Sequence, residues 1–180
     1  TRLLVRVPVG QGKVQVQKAI GAPATGFSGV QAFPPAPMSA YMTDLTGLAP
    51  YGQGKYVASA SSEFSPAGSG YPYAWYAFDK GTANYWVSVG AGYNTSSPYN
   101  YTGTVATVDI SGNSYSGDWL QLQLPVSIVL ASYTVIDNGA AAAPNIFYLL
   151  GSRDGTNWTL VDQRTGITWS GSGISQTFTT

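Results

Sequence analysis

A strict alternation of aliphatic with polar or aromatic residues runs through Asp118-Trp-Leu-Gln-Leu-Gln-Leu124. Side chains two positions apart in a β-strand lie on the same face of the sheet, so Leu120, Leu122 and Leu124 share one face. The tryptophan and the two glutamines share the other face. The segment is therefore predicted to be a strand that is buried on one face, and Pro125 is predicted to end it.

Short segments of the same kind follow one another through the rest of the chain, separated by turn residues. The pair Asp154-Gly155 supplies the turn of a predicted hairpin, and Asn138-Gly139 ends another apolar run. A short helical turn is predicted over 73–78. Many short strands with turn-rich connections predict a β-sandwich or a barrel. The predicted strands cover 56–62, 104–110, 118–124, 127–137, 146–150, 158–162 and 174–180.

The composition excludes several classes of chemistry. The chain has 180 residues, no His and no Cys, and only 9% of its residues are charged. Nucleophilic triads with an imidazole base, thiolate sites and imidazole zinc sites are therefore excluded. Hydrophobic residues make up 44% of the chain, which separates it from intrinsically disordered proteins. One domain of ordinary size with its own core is expected.

The charge and the hydropathy of the sequence each argue against one kind of partner. Eight basic and eight acidic residues give a formal net charge of zero, and no cluster of Lys and Arg is present. We therefore expect no nucleic-acid partner. No apolar run approaches the roughly 18 residues of a membrane span, so we expect no membrane insertion.

The chain starts at Thr1 rather than Met, so we expect that it is processed or is a piece of a longer protein.

Residues 1–43 differ from the rest. They hold four basic residues, no acidic residue and five prolines, whereas 44–180 hold all eight acids and the other four bases. Their alternating pieces are too short to form a core alone. We interpret 1–43 as an extended basic arm on a neighbouring surface, 44–54 as a linker and 55–180 as the β-sandwich. A flexible linker and an extra edge strand are the alternatives for the arm.

A series of motifs in 55–180 resembles the discoidin domain, also called the coagulation factor 5/8 C-type domain, of the galactose-binding-like superfamily. The motifs follow in order along the chain: Ser59-Ala-Ser-Ser-Glu63, Ala74-Trp-Tyr-Ala-Phe-Asp79, Tyr85-Trp86, Trp119-Leu-Gln-Leu-Gln-Leu124, Ala143-Pro144 through Phe147, and Leu150-Gly-Ser-Arg-Asp-Gly-Thr-Asn-Trp-Thr159. The resemblance implies a jelly-roll β-sandwich that binds glycans, phospholipid head groups or proteins with loops at one end. It implies no catalysis. Trp86, Trp119 and Trp158 occupy positions that the family uses for packing.

Two departures from the family pattern matter. Lys80 stands between Asp79 and Gly81, where the family has Asp-Gly, and the family's last strand is missing after Thr180. That strand is either lost or supplied by the arm or by a partner, because an incomplete sheet exposes unpaired backbone groups. The segment 115–125 and the Tyr-rich stretch before it are also similar to discoidin-like segments of structural proteins in large DNA viruses.

Loop tyrosines are the candidate ligand-binding residues. A sugar presents a C–H face and hydroxyl groups, so its site needs an exposed aromatic ring beside polar side chains. Tyrosine serves protein interfaces equally well, so glycan and protein ligands both remain open. The candidates are Tyr71, Tyr73, Tyr93, Tyr99 and Tyr101, with Asn138 among the polar partners.

No cofactor is required by this interpretation, although the resemblance implies a structural calcium after the Ala-Phe-Asp motif. Asp79 occupies the matching position, with Asn84 as a second oxygen donor, because calcium prefers oxygen ligands. The alternative is that Asp79 caps the turn by accepting backbone N–H bonds.

We expect a non-catalytic binding or docking module, because nothing marks two of the eight carboxylates as facing one cleft. The favoured setting is a virus particle, where the chain is a minor capsid-associated protein that contacts neighbouring capsid proteins or displays its loops to host glycans. The alternative is a carbohydrate-binding module of a secreted or cell-surface protein.

Overall fold

The computed structural model describes residues 2–7, 12–15, 19–20, 31–48, 50–64, 72–89, 92–94, 100–137 and 143–180. Regular structure in these ranges is almost entirely β, which confirms the all-β prediction, and the helical content is one 3-10 helix at Ala74–Phe78. The strands are β1 Arg2–Val7, β2 Gly12–Gln15, β3 Ala19–Ile20, β4 Met42–Asp44, β5 Lys55–Ala60, β6 Ala106–Val108, β7 Ser114–Ser116, β8 Asp118–Gln123, β9 Val129–Leu130, β10 Ser132–Asp137, β11 Phe147–Ser152, β12 Thr159–Arg164 and β13 Ser175–Thr179.

Two sheets enclose the main core. The larger has six strands in the order β12-β11-β1-β8-β5-β4, and each neighbouring pair is antiparallel. The smaller has the order β13-β10-β2, while β3 pairs with β9 and β6 pairs with β7. Phe147 of the larger sheet packs edge-on against Phe178 and Tyr133 of the smaller, with ring centroids 5.3 Å and 6.1 Å apart.

Strand β8 has the predicted orientation. Leu120, Leu122 and Leu124 are buried in the main core, and the residues between them are only half-buried. Trp86 is also fully buried there, and its indole N–H donates to the carbonyl of Ser62 at 2.9 Å. Burial of the alternate leucines supplies the apolar contact that holds the two sheets together.

The outer face of the larger sheet carries a second, smaller core. Trp158, Tyr115 and Leu150 are buried there, and Trp119 and Tyr148 pack against them. Tyr115 belongs to the β6–β7 hairpin, so this hairpin covers part of the outer face. The packing role that was predicted for Trp86, Trp119 and Trp158 is confirmed.

Strand β1 lies inside the larger sheet rather than on a neighbouring surface. It pairs with β8 from Arg2 to Val7 on one side and with β11 from Arg2 to Arg6 on the other. This placement differs from the extended arm that composition predicted, because the backbone groups of β1 are satisfied within the same chain. The N-terminal segment therefore contributes a central strand to the larger sheet.

The predicted boundary at residue 43 also falls within the folded body. Phe33 and Met38 are both buried in the main core, and Leu45 of the predicted linker is buried beside them. Met42–Asp44 pairs with β5 as the edge strand β4. Residues 31–48 therefore pack with the sheets, because Phe33, Met38 and Leu45 are part of the main core.

Proline at Leu4 should test the placement of β1. Proline removes a backbone donor from a strand that is paired on both sides, so we expect Leu4→Pro to lower the free energy of unfolding by about 1–3 kcal/mol or more. Leu4→Val keeps the backbone donor and should stay near the wild-type value. Urea denaturation of both variants measures the difference, and coinciding midpoints for the two would contradict the two-sided pairing of β1.

Candidate functional site

The loops that carry the candidate tyrosines meet at one end of the larger sheet. Strand β5 ends at Ala60, and β8, which is antiparallel to it, begins at Asp118. The residues that follow β5 therefore lie beside the start of β8, and the N–H of Ser61 donates to the carbonyl of Trp119 at 2.9 Å. We call Tyr41 and residues 61–64, 72–76, 92–94 and 100–103 the loop end.

Four aromatic residues contact one another at the loop end. The rings of Tyr73 and Trp75 are nearly parallel, with centroids 6.4 Å apart and an angle of 18°. Tyr76 lies 5.4 Å from Tyr73 and 4.2 Å from Trp75, and Tyr41 meets Tyr73 edge-on at 5.7 Å. None of the four is buried, and Tyr41 is 42% exposed. We call Tyr41, Tyr73, Trp75 and Tyr76 the aromatic cluster.

Glu63 holds the aromatic cluster in place. One carboxylate oxygen accepts the Tyr41 hydroxyl at 2.5 Å, and the other accepts the N–H of Ala74 at 2.7 Å. The second bond satisfies a free backbone donor at the start of the 3-10 helix, where the N-cap residue Tyr73 makes no side-chain cap. Partial desolvation and the hydrogen bond to Glu63 raise the pKa of the Tyr41 hydroxyl, so this group remains a donor across the ordinary pH range.

This arrangement suits a ligand that has both an apolar face and hydroxyl groups. The rings offer flat apolar surface, while the Tyr hydroxyls, the indole N–H and the Glu63 carboxylate offer donors and acceptors around it. Phe64, which is 41% exposed, adds apolar surface next to Glu63. The cluster is therefore the best-formed platform among the residues that the structure describes at the loop end.

Tyr93 and Tyr101 form a separate pair with a structural role. Their rings meet edge-on at 5.1 Å, and the two residues form an isolated β-bridge. The Tyr93 hydroxyl accepts the N–H of Asp118 at 3.3 Å, and the Tyr101 hydroxyl accepts the N–H of Val105 at 2.9 Å. Burial and the nearby Asp118 carboxylate raise the pKa of Tyr93. Both hydroxyls thus satisfy backbone donors of the loop.

Two glycines enclose the ring of Tyr101. A Cβ atom on Gly92 would lie 2.5 Å from the Cε2 atom of Tyr101, and a Cβ on Gly103 would lie 2.5 Å from its hydroxyl oxygen. Real Cβ atoms do not approach other heavy atoms so closely, so only glycine allows the loop to close on this ring. Tyr101 is consequently held between the two backbone segments.

Alanine at Gly92 should loosen this part of the loop end. The added methyl group would push against the Tyr101 ring, so we expect Gly92→Ala to reduce the free energy of unfolding by about 1–3 kcal/mol. Gly171→Ala is the matched control, because the nearest atom to its Cβ is 3.8 Å away. Thermal unfolding, monitored by near-ultraviolet circular dichroism, compares the two variants. An unfolding midpoint of Gly92→Ala equal to that of wild type would argue against the tight enclosure of Tyr101.

Three of the predicted ligand residues cannot be assigned to the site. Tyr71, Tyr99 and Asn138 lie outside the described residues. Of the other three, Tyr73 belongs to the aromatic cluster, whereas Tyr93 and Tyr101 support the loop. Tyr41, Glu63, Trp75 and Tyr76 were not predicted as site residues. Trp75 and Tyr76 adjoin Tyr73 in the sequence, whereas the spacing of Tyr41 and Glu63 gave no signal that they would meet it.

Asp79 is engaged in local hydrogen bonds. Its Oδ1 accepts the N–H of Gly81 at 2.7 Å, and its Oδ2 accepts the side-chain amide of Asn84 at 2.9 Å. Lys80 between them has a φ of 57°, in the left-handed region. N–H donors face both oxygens, which fits the turn-capping alternative better than a calcium site with its six to eight oxygen ligands. The calcium itself stays a prediction.

Every one of the eight carboxylates accepts at least one hydrogen bond from the chain. Asp118 accepts the hydroxyls of Ser61 and Ser62, and Asp162 accepts the hydroxyl of Tyr133 and an N–H of Arg164. Asp137 accepts the N–H of Ile174. The remaining five serve turns or loops in the same way: Asp44, Glu63, Asp79, Asp109 and Asp154.

Asp109 and Asp154 organise two similar turns. Asp109 accepts the N–H groups of Ser111 and Asn113 and the side-chain amide of Asn113. Asp154 accepts the corresponding three donors from Thr156 and Asn157. These donors favour the ionised carboxylate and hold the pKa of both groups below the ordinary value. Gly155, at a φ of 81°, supplies the predicted hairpin turn.

Acid should weaken the turn at Asp154. Since its pKa is lower in the folded than in the unfolded chain, ionisation stabilises the fold at neutral pH, and this contribution is lost as the pH falls below about 4. Asp154→Asn should therefore be less stable than wild type at pH 7 and should lose less stability between pH 7 and pH 2. Urea titrations across this range measure both effects.

Ser170→Asn, an exposed change that removes no charge, is the control and should keep the wild-type pH dependence. Parallel stability curves for Asp154→Asn and wild type would contradict the assigned role.

A cavity of about 560 Å3 lies at the other end of the sheet. It is lined near the ends of β8 and β11 by the apolar residues Ile110, Ile128 and Val129 and by the polar residues Arg153, Asn157 and Thr159. No pattern in the sequence indicated this cavity, because its walls come from three segments that are distant along the chain.

Comparison of the chain with protein-family models, with curated proteins and with solved structures gives no match. Among the residues that the structure describes, no helix has the length and apolar character needed to cross a bilayer. The same residues contain no group of three acidic side chains placed to bind a metal ion. The interpretation of the site therefore depends on its own geometry.

Proposed function

We propose that this protein is a non-catalytic binding module that holds carbohydrate on the aromatic cluster. The observation that carries the proposal is the group of four mutually contacting rings, one exposed and three partly buried, with the Glu63 carboxylate bonded to Tyr41. We further propose that the fold is a discoidin-like jelly roll, as the order of motifs from Ser59 to Thr159 suggests. In such a fold the loops at one end bind the ligand.

Carbohydrate fits the cluster for two reasons. A pyranose ring can lie flat on Trp75 or Tyr73, because its C–H face is apolar and the aromatic surface is large. Its hydroxyls can then bond to the carboxylate of Glu63 and to the neighbouring phenol groups. The hydrogen bonds from Tyr41 and Ala74 fix that carboxylate, so little conformational entropy is lost when a sugar binds.

The non-catalytic assignment is supported by the carboxylates. A glycosidase needs a pair of them about 5–9.5 Å apart and free to exchange protons with the substrate. In this chain each of the eight is bonded to a donor of a turn, a strand or a loop, and the chain has no His or Cys. Binding without bond-making is the function that this arrangement favours.

A docking role is the second candidate, and the exposed apolar side chains around the cavity favour it. Ile110 and Val129 are each 66% exposed, and Val126 is 38% exposed. A neighbouring protein could cover these side chains while the loop end stays open to glycans. We propose a virus particle as the setting, with capsid proteins as the neighbours, and a secreted or cell-surface module as the alternative. Co-sedimentation with a large symmetric assembly separates the two settings.

Removal of rings from the aromatic cluster tests the carbohydrate proposal. Loss of a stacked ring should weaken sugar binding by about tenfold, so Trp75→Ala and Tyr73→Ala should each lower the signal on a glycan array. Ile110→Ala is the control, because this residue is exposed at the opposite end, and its binding should equal that of wild type. Thermal unfolding confirms that each variant is folded.

Two results would contradict the proposal. One is a wild-type protein that binds no glycan on the array, which would leave docking as the better account. The other is full retention of binding by both cluster variants, which would move the sugar site away from the aromatic cluster.

A further inference from the structure

The first three strands of the chain share a pattern of pairing. Strand β1 pairs with β8 and β11, β2 pairs with β10, and β3 pairs with β9. All these partners lie between Asp118 and Ser152, more than 95 residues further along the chain. No pairing joins β1, β2 and β3 to one another in the described sheets. The strand pairing of β1, β2 and β3 is thus provided by a distant part of the sequence.

Residues 31–180 leave one strand position in the larger sheet open. Strand β8 has β5 on its other side, and β11 has β12 on its other side, so β1 alone connects these two halves of the sheet. Without β1, two rows of backbone donors and acceptors would face each other across a gap of one strand. Such a gap binds an added strand through its main chain.

One stretch connects the segment 2–20 with the remaining chain. It comprises residues 21–30 and includes Gly21, Pro23, Gly26 and Gly29. Ten extended residues span at most about 33–36 Å. A second copy has the same segment, the same register and the same open position, so exchange between copies would preserve every strand pairing described above. Exchange of an identical element is a low-cost route to assembly.

We propose that residues 1–20 are exchanged between copies of this chain, so that β1 of one copy fills the position between β8 and β11 of a second copy. Reciprocal exchange between two copies closes a dimer, and exchange in one direction produces an open series of chains. The occupant is a second copy rather than another protein, because the observed register already shows that this sequence fits the gap on both sides.

The balance between closed and exchanged forms depends on protein concentration. Closure involves one chain and exchange joins two, so the exchanged fraction should rise with protein concentration. Exchange requires β1 to leave the centre of the sheet. The fraction of exchanged chains is therefore set when the chains fold together.

Disulfide trapping in the full-length chain tests the proposal, since the natural sequence has no cysteine. Leu4 pairs with Gln121 across the β1–β8 ladder. Paired residues of an antiparallel ladder have Cα atoms about 4.5–5.5 Å apart, within disulfide range. One chain carries Leu4→Cys, a second chain with a different tag carries Gln121→Cys, and the two are unfolded, refolded together and oxidised at several concentrations.

We expect a disulfide-linked heterodimer whose yield rises with concentration. The control pairs the Leu4→Cys chain with a Ser170→Cys chain, in which the cysteine is exposed and lies outside the β1 ladder, and it should give only background. A single chain with both Leu4→Cys and Gln121→Cys should close on itself at low concentration.

Two outcomes would overturn the proposal. Complete internal closure of the double variant with no heterodimer above background at any concentration would show that β1 fills its position only within one chain. Failure of the double variant to close would show that β1 does not occupy this register, which removes the basis for exchange. Glycan binding is measured separately, so neither outcome depends on the proposed function.

Discussion

The larger sheet depends on strand β1, which is hydrogen-bonded to a neighbour on each side. Strand β1 joins β8 to β11, and these two strands carry the leucines and Phe147 that bury against the smaller sheet. The same strands position the two ends of the molecule, since β8 begins at the loop end and β11 ends at the cavity. Correct pairing of β1 is therefore the constraint on which both the core and the site geometry depend.

The sequence was sufficient to predict those elements that are determined by a few neighbouring residues. Alternation identified β8, and Asp154-Gly155 identified the hairpin, because side-chain period and turn chemistry act over a few residues. The partners of β1 could not be predicted in this way. Its alternating residues indicated an extended segment, but the strands that complete its pairing lie more than a hundred residues away, and composition favoured an arm instead.

The candidate site was predicted in part for the same reason. Tyr73 and Trp75 stand in one loop, so an aromatic surface there was foreseeable from sequence. Tyr41 and Glu63 join it only because β4 and β5 are neighbours in the sheet. Tyr93 and Tyr101 show the opposite case: a loop tyrosine that resembles a ligand contact can instead satisfy backbone donors, which composition cannot reveal.

The most direct test of the account is hydrogen–deuterium exchange of the native full-length chain, resolved to peptides by mass spectrometry. If β1 is a central strand, amides of Arg2–Val7 should exchange as slowly as those of β8 and β11, because all three open only when the sheet unfolds. Exchange of Arg2–Val7 at the rate of exposed loops, while β8 and β11 remain protected, would contradict it.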